Sequence, residues 1–163
     1  MKIAIDLGGT NMRVALIDEG NIIEKKSVFS PSEQPCEIVL DSIKGLISHF
    51  LTPEVTKIGI GVPSVVDADK GIVYNVVNIP SWKEVHLKDE LESTFNIPVS
   101  VNNDANCFAL GIKVFGEGKN TKNLVGVTLG TGVGAGIIIN NQLYNGANTC
   151  AGEIGSLPYR DYD

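Results

Sequence analysis

The sequence is poor in cysteine and histidine, and neither type is spaced for a metal cage. Cys36, Cys107 and Cys150 lie far apart and form no Cys-x-x-Cys pair, which excludes a disulfide framework or a zinc cluster of usual spacing. They are expected to be three free thiols in a reducing compartment, so a cytoplasmic location is the expectation. His49 and His86 have no partner at metal-ligand spacing and read as a helix-face and a loop histidine. Basic charge is also scarce. Thirteen Lys and Arg stand against nineteen Asp and Glu, and the net charge of −6 argues against nucleic acid or an anionic membrane as partner. No apolar run has the length needed to cross a bilayer. The first residues pass from a single lysine straight into an alternating strand pattern, so no signal peptide is expected. No linker or low-complexity tract interrupts the chain.

Glycine, by contrast, is plentiful. Eighteen glycines sit in a chain that is 43% hydrophobic and 20% charged, the composition of a globular protein. Its 163 residues suit one α/β domain able to bury about 70% of its extended surface on folding. Three strand-like segments come first, Lys2–Asp6, Met12–Ile17 and Ile22–Phe29, separated by turn signals. Apolar residues at helical spacing predict a helix over Glu37–Leu51, and Lys57–Val62 reads as a fourth strand ended by Pro63. An irregular region runs to Trp82, with a small hairpin around Asp69-Lys70-Gly71. A short helix marked by Leu87, Leu91 and Phe95, a strand at Pro98–Val101, a helix over Asn103–Lys113 and the strand pair Leu124–Leu129 and Ala135–Ile139 complete the order. Hairpins mixed with crossover helices predict a mixed β-sheet flanked by helices.

Two hairpin turns carry unusual chemistry. Ile3–Asp18 reads IAIDLGGTNMRVALID, and Val125–Asn140 reads VGVTLGTGVGAGIIIN. Gly8-Gly9 alone would satisfy a tight hairpin. Asp6, Thr10 and the repeat of the design at Gly130-Thr131-Gly132, with Gly134 and Gly136, suit a second role. Glycines let backbone N–H groups approach an anion, and threonine adds a donor. An aspartate beside such a loop suits Mg²⁺ held largely through water. Neither loop is a Walker loop, since no Gly-Lys-Ser/Thr follows, and strand rather than helix continues after each. Between them, Val101-Asn102-Asn103-Asp104-Ala105-Asn106 places Asp104 at a strand end and helix start. It reads either as an N-cap or as a general base facing a cleft. Asp67 and Asp69 flank a turn and read as turn residues. Trp82 reads as core, and Arg13 as an exposed or paired strand residue.

DLGGTN at Asp6–Asn11, NNDAN at Asn102–Asn106, LGTGVGAG at Leu129–Gly136 and AGEIG at Ala151–Gly155 resemble, in that order, the motifs of the ROK family. This family, within the actin-like sugar-kinase superfamily, comprises kinases, repressors and open reading frames. The resemblance implies an actin-like ATPase (ribonuclease H-like) fold and ATP-dependent phosphorylation of a hexose, glucokinase-like, with ATP and Mg²⁺ as cofactors. It implies that Asp6, Gly8, Gly9, Thr10 and Asn11 meet the γ-phosphate and Mg²⁺, Asp6 through water. Gly130, Thr131 and Gly132 would meet the β- and γ-phosphates. Asp104 would be the catalytic base, and Ser64, Asn78, Asn103 and Glu153 would contact the sugar.

Two departures from the family pattern matter. Many members read GEIGH followed by a cysteine cluster that binds zinc. Here Ser156 stands after Gly155 and no cysteine follows, so no zinc is expected. Members also continue into a second α/β domain, so residues 1–163 are expected to be the N-terminal domain of a two-domain kinase, weak or inactive alone and homodimeric in full. The alternatives are a sugar-responsive transcriptional regulator of the same family, usually with a helix-turn-helix ahead of DLGGT, or a non-catalytic sugar-binding module.

Overall fold

Ile3, Ile5 and Leu7 alternate along β1 (Lys2–Leu7), and Met12, Val14 and Leu16 along β2 (Asn11–Asp18), so both strands turn one apolar row to the same face. A computed structural model of the chain describes residues 1–130 and 132–158. The chain divides into two compact units, Met1–Asn103 and Asp104–Asp163.

In the first unit β1 and β2 pair antiparallel from Lys2↔Ile17 to Leu7↔Met12, and β3 (Asn21–Phe29) pairs β2 from the outside. β3 is an edge strand, largely exposed and carrying Lys25 and Lys26, residues that discourage pairing with another chain. After β3 comes α1 (Cys36–Phe50), within one residue of the span its periodicity predicts. Its buried residues Val39, Ile43, Leu46, Ile47 and Phe50 form one stripe and join the apolar rows of β1 and β2 in the core. The crossover makes β4 (Lys57–Val62) parallel to β1, with Ile3↔Ile58 and Asp6↔Gly61 in register.

The segment that reads as irregular folds into a second small sheet, β5 (Val65–Asp67), β6 (Ile72–Tyr74) and β7 (Glu84–Val85). The hairpin between β5 and β6 is a turn of the expected kind. Asp67 Oδ1 accepts from the Lys70 N–H at 3.0 Å and Gly71 takes φ +67°. That backbone hydrogen bond holds the Asp67 carboxyl below its ordinary range, with a lesser pull from the Lys70 side chain. Asp67 is therefore a turn residue. Trp82 is fully buried, as core. α2 (Leu87–Phe95) buries Leu87 and Leu91, and β8 (Val99–Asn103) runs parallel to β4. The main sheet of this unit is thus mixed, in the order β3-β2-β1-β4-β8.

The second unit starts with α3 (Asp104–Phe115), followed by β9 (Leu124–Leu129), β10 (Val133–Ile139) and β11 (Gln142–Leu143) in a separate sheet of order β11-β10-β9. Lys113 closes the end of α3, its Nζ donating to the Thr121 and Lys119 carbonyls at 2.6 and 3.0 Å. Glycine governs how α3 meets the sheet. A Cβ on Gly136 would lie 2.6 Å from Ala109 Cβ, and one on Gly134 would lie 3.0 Å from Ala105 Cβ.

The strand meanders β1–β2–β3 and β9–β10–β11 share one design. In each, a glycine turn joins the first two strands. Each second turn has two residues at positive φ, Glu19-Gly20 and Asn140-Asn141, the pattern of a tight hairpin. They differ in cover. Ile3, Ile5 and Leu7 are buried under α1, whereas Val125, Val127 and Leu129 on the face away from α3 are exposed, Leu129 to 82%.

Candidate functional site

The three parallel strands β1, β4 and β8 end together, with Asp6↔Gly61 and Gly61↔Asn102 in register across the sheet. Loops at the carboxyl ends of parallel strands are where α/β sheets place their ligands. Three predicted site elements of the first unit converge there: the Gly8–Asn11 loop after β1, Ser64 after β4 and Asn103 at the end of β8.

Asp6 points to the face opposite the core and is exposed. Its Oδ2 pairs with Arg13 Nη1 at 3.0 Å, across the antiparallel register Asp6↔Arg13. Arg13 is therefore a paired strand residue that fixes the carboxylate. In the loop the Gly8 N–H donates to the Asn11 carbonyl at 2.9 Å, closing a tight turn, and Thr10 is exposed. Gly9 is pressed against Asn78, and a Cβ there would lie 2.6 Å from Asn78 Cβ. Nothing local in the sequence announces that contact, because the two residues lie in separate loops far apart along the chain. Asn103 donates its side-chain amide to the Ser64 carbonyl at 3.0 Å, and the Ser64 hydroxyl donates to the Tyr74 carbonyl. Ser64 and Asn103 are thus tied by hydrogen bonds to a neighbouring strand or loop, and Asn78 lies against the glycine loop.

In the second unit Asp104 is the first residue of α3, and its Oδ1 accepts from the Ala105 N–H at 2.7 Å. Asp104 is the acidic residue in the first turn of this twelve-residue helix, where the helix dipole attracts negative charge. The bond to the Ala105 N–H orients the carboxylate at the start of α3, an orientation compatible with either helix-end or base chemistry. Gly130 donates its N–H to the Gly132 carbonyl at 3.0 Å, forming the second glycine turn, and a Cβ on either would meet nothing within 4 Å among the described residues. Thr131 lies outside the described residues. The glycines of LGTGVGAG therefore serve two purposes: Gly130 and Gly132 leave open space at the turn, while Gly134 and Gly136 admit α3.

Glu153 is exposed and leads into a single helical turn at Ile154–Ser156. Its loop is fastened to the start of β10, where the Ala135 N–H donates to the Gly152 carbonyl at 3.1 Å. Gly152 has φ +91°, and a Cβ on it would lie 2.0 Å from the Ala135 carbonyl oxygen. Gly152→Ala is expected to free this loop, since positive-φ strain alone costs about 1–3 kcal/mol before the clash is relieved. Hydrogen exchange should show the Ala135 amide losing protection by about tenfold or more while β1 and β4 keep theirs. Unchanged protection at Ala135 would refute the role given to Gly152.

Arg13 engages Asp6 Oδ2, which leaves the carboxylate one oxygen for a cation, a fit only for a Mg²⁺ that keeps most of its waters. Among the described residues no three His, Cys, Asp or Glu side chains gather as a metal cage.

A mixed sheet with crossover helices, and a glycine hairpin opening each strand meander, is the architecture of actin-like ATPases. The ROK family model matches residues 2–162, and the chain belongs to that family. It is 36% identical over 162 residues to a glucokinase of Halalkalibacterium halodurans, covering 95% of this chain and 49% of that protein. It is 37% identical over 163 residues to the xylose repressor of Bacillus subtilis, covering 96% of this chain and 42% of the repressor. Among solved structures it superposes with a TM-score of 0.88 and 35% identity on a ROK family glucokinase from Streptomyces griseus in complex with glucose and AMPPNP, covering 98% of this chain and 51% of that one. The chain thus spans about half the length of these relatives.

Proposed function

We propose that this chain is the N-terminal part of an ATP-dependent hexose kinase of the glucokinase type. The observation that carries the proposal is Asp104, a carboxylate oriented by the first turn of α3 and following directly on Asn103, whose amide is tied to Ser64. In the reaction Asp104 accepts the proton of the sugar's primary hydroxyl as the oxygen attacks the γ-phosphorus in line and ADP leaves. Such transfers rest on positioning and electrostatics more than on covalent chemistry. Asn103 donates to one sugar hydroxyl, Glu153 accepts from another, and Ser64 and Asn78 complete the contacts. Pairing each hydroxyl with its own group is how a site rejects analogues that lack it. The backbone N–H groups around Gly8–Asn11 and Gly130–Gly132 hold the phosphates, with Thr10 and Thr131 adding hydroxyls. Asp6 would hold Mg²⁺ through water, and that ion would neutralise charge on the phosphates. The working protein is a cytoplasmic homodimer with a second domain, and residues 1–163 alone turn over poorly.

The repressor likeness supports a second reading, a regulator that binds a sugar without phosphorylating it. ADP formation from MgATP against a panel of hexoses, using the product of the whole reading frame, separates the two. Sugar-dependent turnover supports the kinase and names its substrate. No turnover with any hexose, while one of them raises the melting temperature, supports the regulator.

A further inference from the structure

We propose that Asn78 positions the first glycine loop in addition to serving the sugar, its Cβ forming the wall that holds Gly9 in place. The inference rests on the kinase reading for what the loop binds, and on contacts within the first unit for the wall itself. A Cβ built on Gly9 would stand 2.6 Å from Asn78 Cβ and 3.3 Å from both its Cγ and its carbonyl oxygen, so the glycine backbone already lies against the asparagine. The wall is stiff. Residues 76–82 form a closed turn in which Ile79 N–H donates to the Val76 carbonyl at 3.1 Å, Trp82 N–H to Ile79 at 2.9 Å and Val76 N–H to Trp82 at 3.0 Å. Val76, Ile79 and Trp82 are buried in the core beneath it. At the next residue of the loop, the Ser30 N–H donates to the Thr10 carbonyl at 2.9 Å. The two central residues of the loop are therefore each held, Thr10 by the residue that follows β3 and Gly9 by Asn78.

A phosphate loop works by keeping its N–H groups where the charge will be. A shift of about 1 Å in such a group costs on the order of 100-fold in rate. Asn78 thus joins two roles that chemistry can separate. The side-chain amide is the part a sugar hydroxyl reads, and Cβ is the part that approaches Gly9 most closely. Alanine keeps Cβ and deletes the amide, whereas glycine deletes both. Val77 is the neighbouring exposed position, and Val77→Gly adds the same backbone freedom to the turn without touching the loop.

The test uses the product of the whole reading frame and reads two quantities for each variant: hexose KM, and the Kd for MgAMPPNP by calorimetry. Asn78→Ala is expected to raise the hexose KM while leaving the nucleotide Kd within about twofold. Asn78→Gly is expected to weaken the nucleotide about tenfold or more as the loop shifts, and Val77→Gly to leave it unchanged. The proposal is overturned if Asn78→Gly binds MgAMPPNP as tightly as Asn78→Ala, or if Val77→Gly weakens it as much as Asn78→Gly. It is overturned equally if the wild type binds no MgAMPPNP. Should the wild type phosphorylate no hexose while the nucleotide pattern holds, the kinase reading fails and the wall stands.

Discussion

Asp104→Asn in the whole protein is expected to lower sugar-dependent ADP formation by about 10²–10⁴-fold, the contribution of a positioned general base. The asparagine is close to isosteric and keeps an oxygen for the Ala105 N–H, so the start of α3 should survive. Sugar binding should therefore persist, and the loss should fall on kcat with the hexose KM nearly unchanged. A variant that keeps more than a tenth of wild-type kcat would remove Asp104 as the base. A variant that loses kcat together with its thermal transition would show that Asp104 serves chiefly to start α3. The two results differ in a melting curve, so the experiment decides between the roles that the sequence leaves open for this residue.

The second large effect concerns stability. Trp82, the only tryptophan of the chain, is wholly enclosed, and its indole N–H is buried with no hydrogen-bond partner among the described residues. Trp82→Ala deletes the largest side chain of the core and should cost about 3–5 kcal/mol. Against a whole-domain stability of about 5–15 kcal/mol this is a large share, and the turn that carries Asn78 would loosen with it. Trp82→Phe also loses packing, but it removes a donor that pays desolvation without a bond in return. The two effects oppose each other, and the phenylalanine variant should stay within about 1.5 kcal/mol of wild type. Urea unfolding followed by far-ultraviolet circular dichroism measures both. A phenylalanine variant as unstable as the alanine one would contradict an unsatisfied indole.

The elements legible in the sequence are those whose signal is local. The stripe Val39, Ile43, Leu46, Ile47 and Phe50 predicts α1, and alternation in β1 and β2 predicts their hairpin, because each pattern is written within a dozen residues. The β5–β6–β7 sheet is harder to read, since strands of two or three residues carry too little alternation. Its Asp67–Gly71 turn chemistry is the one part that stands out. The division between the two units has no local mark, because β8 ends at Asn103 and α3 begins at Asp104 with no residue between. At the candidate site the residue types and their order point to phosphate and sugar chemistry. The contacts that position them do not appear in the order: the pairing of Asp6 with Arg13, the tie from Asn103 to Ser64 and the pressure of Asn78 on Gly9 all depend on strand register or on distant loops.

The double use of glycine in LGTGVGAG bears on how such motifs drift among relatives. Gly134 and Gly136 answer to α3, which any version of this unit must seat to remain folded. Gly130 and Gly132 meet no such neighbour among the described residues. On the kinase reading, a relative that abandons phosphate is free to change the turn while its strand glycines stay fixed, and it would still look half-intact to a reader who counts glycines.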